Sequence, residues 1–376
     1  MSRETILTDA VLVLADATMR GTLHLRDGRI AAIDTTRSAV PGAVSLGGDY
    51  VIPGIVDLHT DNLERQVQPR INARWPSRSA LLAHDAQCAV AGVTTVFDAL
   101  CLCDLGFDKD RVRTFREGVA DLDALADTDL LRAEHFLHLR CEVPAPDTLG
   151  LFAPVADHPR VRMVSLMDHT PGVGQYADLD HYRRLRARDG TPAGEIERRM
   201  AELQAQRARL RDPNRRALLA RLAGRGVALA AHDDRTEAEV AENAEDGIGV
   251  SEFPVTAEAA RAARVHGMAV IAGAPNLVRG GSHSGNVSAA DLLAEALVDA
   301  FASDYVPSSL IEAAFHPAAG PLPQAVARVT AAPARIAGLD DRGRIAPGLR
   351  ADLVQVRLHG GMPAVRAVWR GGERVA

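Results

Sequence analysis

Histidine and carboxylate side chains follow short apolar segments at six places in the chain. They are His59 and Asp61, Glu142, Asp168 and His169, His232 with Asp233 and Asp234, Glu252, and Asp304. A single buried histidine usually belongs to the core, but a core role does not explain why histidine or carboxylate side chains follow six separate apolar segments. Imidazole nitrogen and carboxylate oxygen are ligands of Zn²⁺, and Mn²⁺ accepts more oxygen. The pattern therefore predicts a site for a divalent metal.

Short apolar runs alternate with helical stretches through the middle of the chain, and they would position these residues. The runs are 51–58, 93–99, 136–141, 161–167, 227–231, 248–253, 268–274 and 297–302. Parallel strands buried on both faces have this pattern, so the runs predict an α/β fold, a (β/α)₈ barrel. A doubly wound open sheet is the alternative, but no Gly-rich phosphate-binding turn follows the first run. Barrel strands end at one mouth, where the histidines and acids would meet.

The two ends of the chain have a different pattern, with short alternating segments separated by tight turns. We expect residues 1–50 and 340–376 to form one small β-sandwich domain and residues 51–339 to form the barrel. An Arg-rich, helical insertion is predicted at about 178–223. It is either a solvated helical hairpin or a lid that offers guanidinium groups to an anionic substrate.

Composition excludes several classes of protein. The 376 residues include 43 basic and 49 acidic side chains, a net charge of −6 that argues against a nucleic-acid partner bound through a general basic field. The longest apolar runs fall short of the ~20 residues of a membrane-spanning helix. The first residues do not have the pattern of a secretion signal. Four irregularly spaced cysteines are typical of a reducing compartment. We therefore expect a cytoplasmic protein with neither a membrane nor a nucleic-acid partner.

Two segments resemble the amidohydrolase superfamily, whose members combine a metal-bearing TIM-like (β/α)₈ barrel with a small β domain built from both chain ends. They are residues 51–59, VIPGIVDLH, and residues 343–354, GRIAPGLRADLV. The superfamily pattern has His-x-His on the first strand, a bridging carboxylated Lys or a Glu, two further His and a final Asp. Here Asp61 replaces the second His. The sole lysine, Lys109, lies in a loop-like Asp-Lys-Asp context, so Glu142 is the candidate bridging carboxylate.

The resemblance implies a set of metal ligands that would hold one or two ions, zinc or manganese. The set is His59, Asp61, Glu142, His169, His232 and Asp304, with Glu252 as an alternative. Asp304 is also the candidate catalytic base, because a carboxylate at the end of the last strand could accept a proton from the attacking water.

A narrower resemblance is to the PhnM family of phosphonate-metabolism proteins. The segments that carry it are 59–64, 69–70, 74–76, 132–135, 138–142, 165–169, 232–234, 251–254, 273–276, 279–286 and 303–305. This resemblance implies a diphosphatase of the carbon–phosphorus lyase pathway. Its reaction would convert α-D-ribose 1-methylphosphonate 5-triphosphate to the 5-phosphate and pyrophosphate.

Phosphate chemistry also has candidate residues in the sequence itself. A Gly-rich loop follows the seventh apolar run, where barrels often bind phosphate through backbone N–H groups. We expect substrate contacts from Arg70, Arg74, Arg279, Gly280, Gly281, Ser282, His283 and Asn286. A flexible Gly/Ser loop is the alternative interpretation of residues 279–286.

Two other functions remain open at this stage. An amidohydrolase barrel could instead cleave a C–N bond, as a deacetylase or deaminase of a small anionic metabolite. A barrel without catalysis could serve as a scaffold, although that would require gaps in the ligand set. The expected partner is a phosphorylated ribosyl molecule, and a homodimer is one alternative for the subunit number.

Overall fold

The structure is a computed structural model that describes residues 4–70, 72–103, 110–282 and 284–376. Two residues singled out above, Lys109 and His283, lie outside the described residues.

Both ends of the chain join in one mixed sheet, as the sequence predicts. Its strands are β1 (Glu4–Val13), β2 (Thr18–Arg26), β3 (Arg29–Asp34), β4 (Val44–Ser45) and β5 (Tyr50–Pro53), with β14 (Leu353–His359), β15 (Met362–Arg370) and β16 (Glu373–Arg374) from the far end. Their order is β16-β15-β14-β5-β1-β2-β3, and β4 pairs with β1. The antiparallel pairing of β5 with β14 therefore connects the two chain ends.

The predicted eight-stranded barrel is confirmed. Its parallel strands are β6 (Ile55–Thr60), β7 (Val93–Cys101), β8 (Glu134–Glu142), β9 (Val161–Met167), β10 (Ala228–His232), β11 (Val250–Glu252), β12 (Ala269–Gly273) and β13 (Ala300–Ala302). They pair in sequential order from β6 to β13. The ring closes through a parallel bridge between Thr60 and Asp304. Every residue of β7 is buried, which explains why the barrel strands are continuous apolar runs in the sequence.

The first predicted run, 51–58, forms parts of two strands instead of one. β5 belongs to the mixed sheet and β6 to the barrel, and Gly54 stands between them. The Gly54 N–H donates to the Asp352 carbonyl at 2.7 Å. A Cβ at this position would collide with the Thr94 side chain, so only glycine allows the two sheets to approach so closely here.

Helices follow the barrel strands. They are α1 (Asn62–Val67), α2 (Ser77–Val90), α3 (Asp110–Leu125), α4 (Thr148–Phe152), α5 (Leu179–Arg188), α6 (Ala193–Leu222), α7 (Glu237–Glu245), α8 (Ala257–Val265), α9 (Ala274–Arg279), α10 (Ala289–Ala294), α11 (Ser309–Ala314), α12 (Leu322–Ala327) and α13 (Ala331–Ile336). Among the described residues, none of these helices has the length and apolarity needed to cross a bilayer.

The Arg-rich segment contains α5 and α6, and the two ends of α6 pack against different parts of the protein. Tyr182 of α5 packs with Ile196 and Met200 of α6 in a small cluster of their own. Leu218 and Leu222, near the end of α6, instead lie in the main core. The last turns of α6 therefore serve as a barrel helix, while its first turns pack against α5.

A buried polar network outside the barrel mouth joins α2 to β7 and β8. Asp98 accepts hydrogen bonds from His84 Nε2 at 2.7 Å and from His135 Nδ1 at 2.8 Å. The other ring nitrogen of His135 lies 3.2 Å from Asp85. Burial opposes charge on His135, but Asp98 and Asp85 outweigh it and raise the His135 pKa to about 9. The two carboxylates therefore hold His135 as an imidazolium.

This network predicts a pH-dependent stability. Because the folded pKa of His135 is raised, its contribution is complete below about pH 6.5 and is lost as the pH rises through about 9. In the wild type, the free energy of unfolding measured in urea should therefore fall between pH 6.5 and 9.5. In His135→Gln this decrease with pH should be smaller, by up to roughly 1 kcal/mol per pH unit. The exposed-site variant His359→Gln should keep the wild-type slope. Equal slopes in wild type and His135→Gln would contradict the charged state assigned to His135.

Candidate metal centre

One buried carboxylate, Glu252 at the end of β11, holds two histidines. Its Oε1 lies 2.8 Å from His59 Nδ1, and its Oε2 lies 2.7 Å from His232 Nδ1. The two imidazole rings stack with centroids 5.6 Å apart and planes inclined by 16°. With Nδ1 of each ring bonded to Glu252, the Nε2 atoms are the nitrogens available for another ligand.

Electrostatics reinforce this arrangement. Burial opposes ionisation of Glu252, but His59 and His138 outweigh it and hold the pKa of Glu252 well below its ordinary value. Burial likewise opposes the charged form of His59, while Glu252 and Asp61 raise its pKa to about 10. Ser165 Oγ donates to Glu252 Oε2 at 2.8 Å. Glu252 is therefore a buried anion stabilised from several sides.

A first group of possible metal donors contains His59, Asp61 and Asp304, from the ends of β6 and β13. One ligand atom from each lies within 4.8 Å of the others. His59 Nε2 is 3.5 Å from Asp61 Oδ1. Asp61 also accepts a hydrogen bond from Arg140 at 2.7 Å. Although burial opposes it, this guanidinium holds the pKa of Asp61 well below its usual range.

A second group contains His169, His232 and Asp233, from the ends of β9 and β10, within the same 4.8 Å limit. Asp233 Oδ2 lies 3.7 Å from His169 Nε2 and 3.6 Å from His232 Nε2. Glu142 orients His169, accepting hydrogen bonds from its backbone N–H at 2.6 Å and from its Nδ1 at 2.7 Å. His169 therefore presents Nε2 toward Asp233.

The donor atoms of both groups fit a divalent cation. His59 Nε2 and Asp233 Oδ2 are buried, and neither makes a hydrogen bond within the described part of the chain. Buried polar atoms without partners are rare, and a metal ion is one explanation for them. The chemistry of the donors, imidazole Nε2 and carboxylate oxygen, suits zinc or manganese.

The backbone is unusual at three strand ends of this mouth. Asp233, Phe253 and Asp304 have φ values of 62°, 56° and 55°, in the left-handed region that residues with a Cβ rarely adopt. Asp233 and Phe253 directly follow the last residues of β10 and β11, and Asp304 lies two residues after the end of β13. Such conformations cluster at functional sites, where surrounding contacts hold them in place.

The predicted bridging role of Glu142 needs correction. Both Glu142 oxygens accept hydrogen bonds from His169, so Glu142 lies on the side of that imidazole away from the donor group. Glu252 has the same position relative to His59 and His232. Asp233 instead occupies a donor position, which the sequence analysis did not assign. Asp168 accepts from Arg207 at 2.6 Å and is not part of either donor group.

A cavity of about 680 Å³ opens above the donor groups. Its lining includes Arg279, Ser282 and Asn286 from the predicted loop, but among the described residues neither Arg70 nor Arg74. Arg74 is held against α3, where it donates to Glu117 at 2.6 Å. Gly280 and Gly281 stand in the same loop with positive φ, at 78° and 153°, and do not line the cavity.

Three further arginines line the cavity: Arg111, Arg140 and Arg186. Arg140 could have been found from the sequence, because it lies two residues before Glu142 on a strand and so shares its face. Arg111 stands on α3, where no motif marks it. Arg186 stands on α5, within the Arg-rich segment for which a lid offering guanidinium groups is one of the two alternatives.

Comparison with known proteins identifies the family. No family model matches the chain. The α-D-ribose 1-methylphosphonate 5-triphosphate diphosphatase of Escherichia coli (strain K12) is 41% identical over 376 residues, covering 98% of this chain and 100% of the relative. The chain belongs to this diphosphatase family, PhnM.

Solved structures of other enzymes share the fold of this PhnM-family chain. The dihydropyrimidinase of Brevibacillus agri has a TM-score of 0.65 at 14% identity, with 99% of this chain and 95% of that chain covered. The N-acetyl-D-glucosamine-6-phosphate deacetylase of Mycobacterium smegmatis has a TM-score of 0.63 at 19% identity, with 99% and 100% covered. These structures show the fold alone, and this chain has clusters of histidine and carboxylate side chains able to bind a metal.

The shared carboxylate gives a prediction for metal binding. Glu252→Gln replaces one acceptor with an NH₂ group, which cannot accept from an imidazole N–H. At least one histidine should then lose its orientation, and the affinity for Zn²⁺ should fall by roughly 10- to 100-fold. Metal content after dialysis against graded zinc buffers measures this, with Glu258→Gln on α8 as the control. Unchanged zinc affinity in Glu252→Gln would contradict the role of Glu252.

Proposed function

We propose that this chain is a metal-dependent hydrolase that converts α-D-ribose 1-methylphosphonate 5-triphosphate to the 5-phosphate and pyrophosphate. The observation that carries the proposal is the position of two imidazole–carboxylate donor groups beneath a cavity lined by four arginines, in a chain of this family. A polyphosphate needs that combination, because charge must be neutralised on both the attacked phosphorus and the leaving group.

The proposed ligands are the members of the two donor groups, for one or two zinc or manganese ions. They are His59, Asp61, His169, His232, Asp233 and Asp304. A bound divalent ion supplies Lewis acidity, which makes a hydroxide-like nucleophile accessible near neutral pH. Glu142 and Glu252 would hold the histidines by Nδ1 and so keep each Nε2 directed at the site.

Asp304 is the proposed proton acceptor. Burial raises its pKa to about 6, and the negative charge of Asp61 acts in the same direction. A carboxylate with this pKa is ionised at neutral pH, yet it is more basic than an ordinary aspartate. As water oxygen bonds to the phosphorus nearest ribose, its proton moves to the Asp304 carboxylate. The bond from that phosphorus to the next bridging oxygen breaks, and pyrophosphate leaves with the bonding electrons.

We further infer that the enzyme acts in the cytoplasm, on a phosphorylated metabolite and without a membrane or nucleic-acid partner. The net charge of −6 supports this, because it provides no general attraction to nucleic acid.

The reaction can be tested directly with purified protein. Incubation with the ribosyl triphosphate should release pyrophosphate, while N-acetyl and amino substrates should release neither acetate nor ammonia. In Asp304→Asn the rate of pyrophosphate release should fall by about 10²- to 10⁴-fold, because the amide cannot accept the proton. The exposed-site variant Asp340→Asn should retain wild-type activity. Release of acetate or ammonia without pyrophosphate would refute the proposed reaction.

Removal of metal gives an independent test. Extended dialysis against a chelator should abolish pyrophosphate release, and zinc or manganese should restore it. The melting temperature should rise on metal addition, because a ligand that binds only the folded state stabilises it. Full activity in protein shown to be metal-free by elemental analysis would rule out the metal's role.

A further inference from the structure

The cavity has two walls of different chemistry. One, the arginine wall, consists of Arg111, Arg140 and Arg186. The other, the strand-seven wall, follows β12 and consists of described residues from 279–282 and 284–292. Its cavity-lining residues are Arg279, Ser282, Ser284, Asn286, Val287, Ala289 and Leu292. One wall therefore concentrates guanidinium groups, two of which are paired with cavity-lining carboxylates: Arg140 donates to Asp61 at 2.7 Å and Arg186 to Asp189 at 3.2 Å. The other wall combines a single guanidinium with hydroxyl, amide and apolar groups.

The barrel topology places these walls on opposite sides of the mouth. Arg140 belongs to β8, the third barrel strand, and the strand-seven wall follows β12, the seventh. The strands pair in sequential order around the ring, so the third and seventh are four strands apart in either direction. The donor groups come from the ends of the first, fourth, fifth and eighth strands and lie between the two walls.

The arginine wall is held in position before any substrate arrives. Arg140 donates to Asp61 at 2.7 Å, and Arg111 Nε lies 3.5 Å from Glu64. The Arg186 guanidinium carbon lies 5.8 Å from the ring centroid of Tyr176 and 5.1 Å from that of Tyr182. Side chains that are already fixed lose little entropy when they bind an anion.

The three arginines line the same cavity as the proposed metal donors. Asp61, the partner of Arg140, is one of the proposed metal donors, and a bound ion would share its negative charge. The wall is thus a set of guanidinium groups facing the proposed point of bond cleavage.

The strand-seven wall is shaped by Asn276. Its side-chain amide donates to the Val287 carbonyl at 2.9 Å and its Oδ1 accepts from the Ala289 N–H at 3.0 Å. The Gly281 N–H donates to the Asn276 carbonyl at 2.8 Å, so both ends of the loop are tied to one residue. The apolar side chains of Val287 and Leu292 are therefore held beside the hydroxyl and amide groups.

We propose that the arginine wall binds the two phosphates that leave as pyrophosphate, and that the strand-seven wall binds the ribose 1-methylphosphonate end. This assignment rests on the function proposed above. Pyrophosphate carries several negative charges and no apolar surface, which matches three arginines. The other end carries one negative charge, hydroxyl groups and a methyl group, which match Arg279, the Ser282 and Asn286 donors, and the Val287 and Leu292 side chains.

Calorimetric titration of the metal-loaded full chain with two probes tests this orientation. The probes are inorganic pyrophosphate and α-D-ribose 1-methylphosphonate 5-phosphate. Arg186→Gln should weaken pyrophosphate binding by roughly 10- to 100-fold and leave the ribosyl probe within about twofold. Arg279→Gln should do the reverse. Arg186→Lys should recover part of the pyrophosphate affinity, because it restores charge without the bidentate geometry.

Arg183→Gln is the matched control, since Arg183 lies on the same helix but pairs with Glu197 at 2.6 Å outside the cavity lining. Its affinities for both probes should equal those of wild type. The opposite pattern, or equal losses of both probes in Arg186→Gln and Arg279→Gln, would overturn the orientation alone. Failure of wild type to release pyrophosphate from the triphosphate would refute the proposed function, and the orientation with it.

Discussion

The site depends on how the ring of eight strands closes. The closure passes through the backbone of Asp304, whose N–H donates to the His59 carbonyl at 2.9 Å and whose carbonyl accepts from the Asp61 N–H at 2.6 Å. These two hydrogen bonds fix the backbones of three residues that supply the first donor group. Closing the barrel and assembling that group are thus the same structural event, which explains why ligand atoms of residues 245 positions apart in the chain lie within 4.8 Å of one another.

Beneath the donors lies a layer of carboxylates that determines which imidazole nitrogen is presented. Glu252 serves His59 and His232, and Glu142 serves His169. Burying such anions is costly unless every oxygen is paired, and here each oxygen accepts at least one hydrogen bond. The result is a rigid set of Nε2 atoms whose direction is set by the protein and not by the ion. Removing either carboxylate would therefore disturb the site without removing a donor.

Much of the fold and part of the site were accessible from sequence. Continuous apolar runs predicted all eight barrel strands because these strands are buried on both faces. The proposed roles of Glu142 and Asp233 were not accessible, since both stand at strand ends and only side-chain direction separates a donor from the group behind a histidine. Arg74 was misassigned because a loop arginine can turn toward a neighbouring helix, as it does toward Glu117. The split at Gly54 lay within one predicted run, 51–58, although Pro53 and Gly54 interrupt its apolar residues.

That split has a mechanical consequence. Gly54 carries the chain directly from one sheet into the other, with its N–H bonded to Asp352 and no room for even a methyl group. Because this connection is a single tightly packed residue, the mixed sheet is held in a fixed position against the barrel and does not move independently of it. The cavity lies at the opposite end of the cylinder, where Arg186 of α5 is among its lining residues.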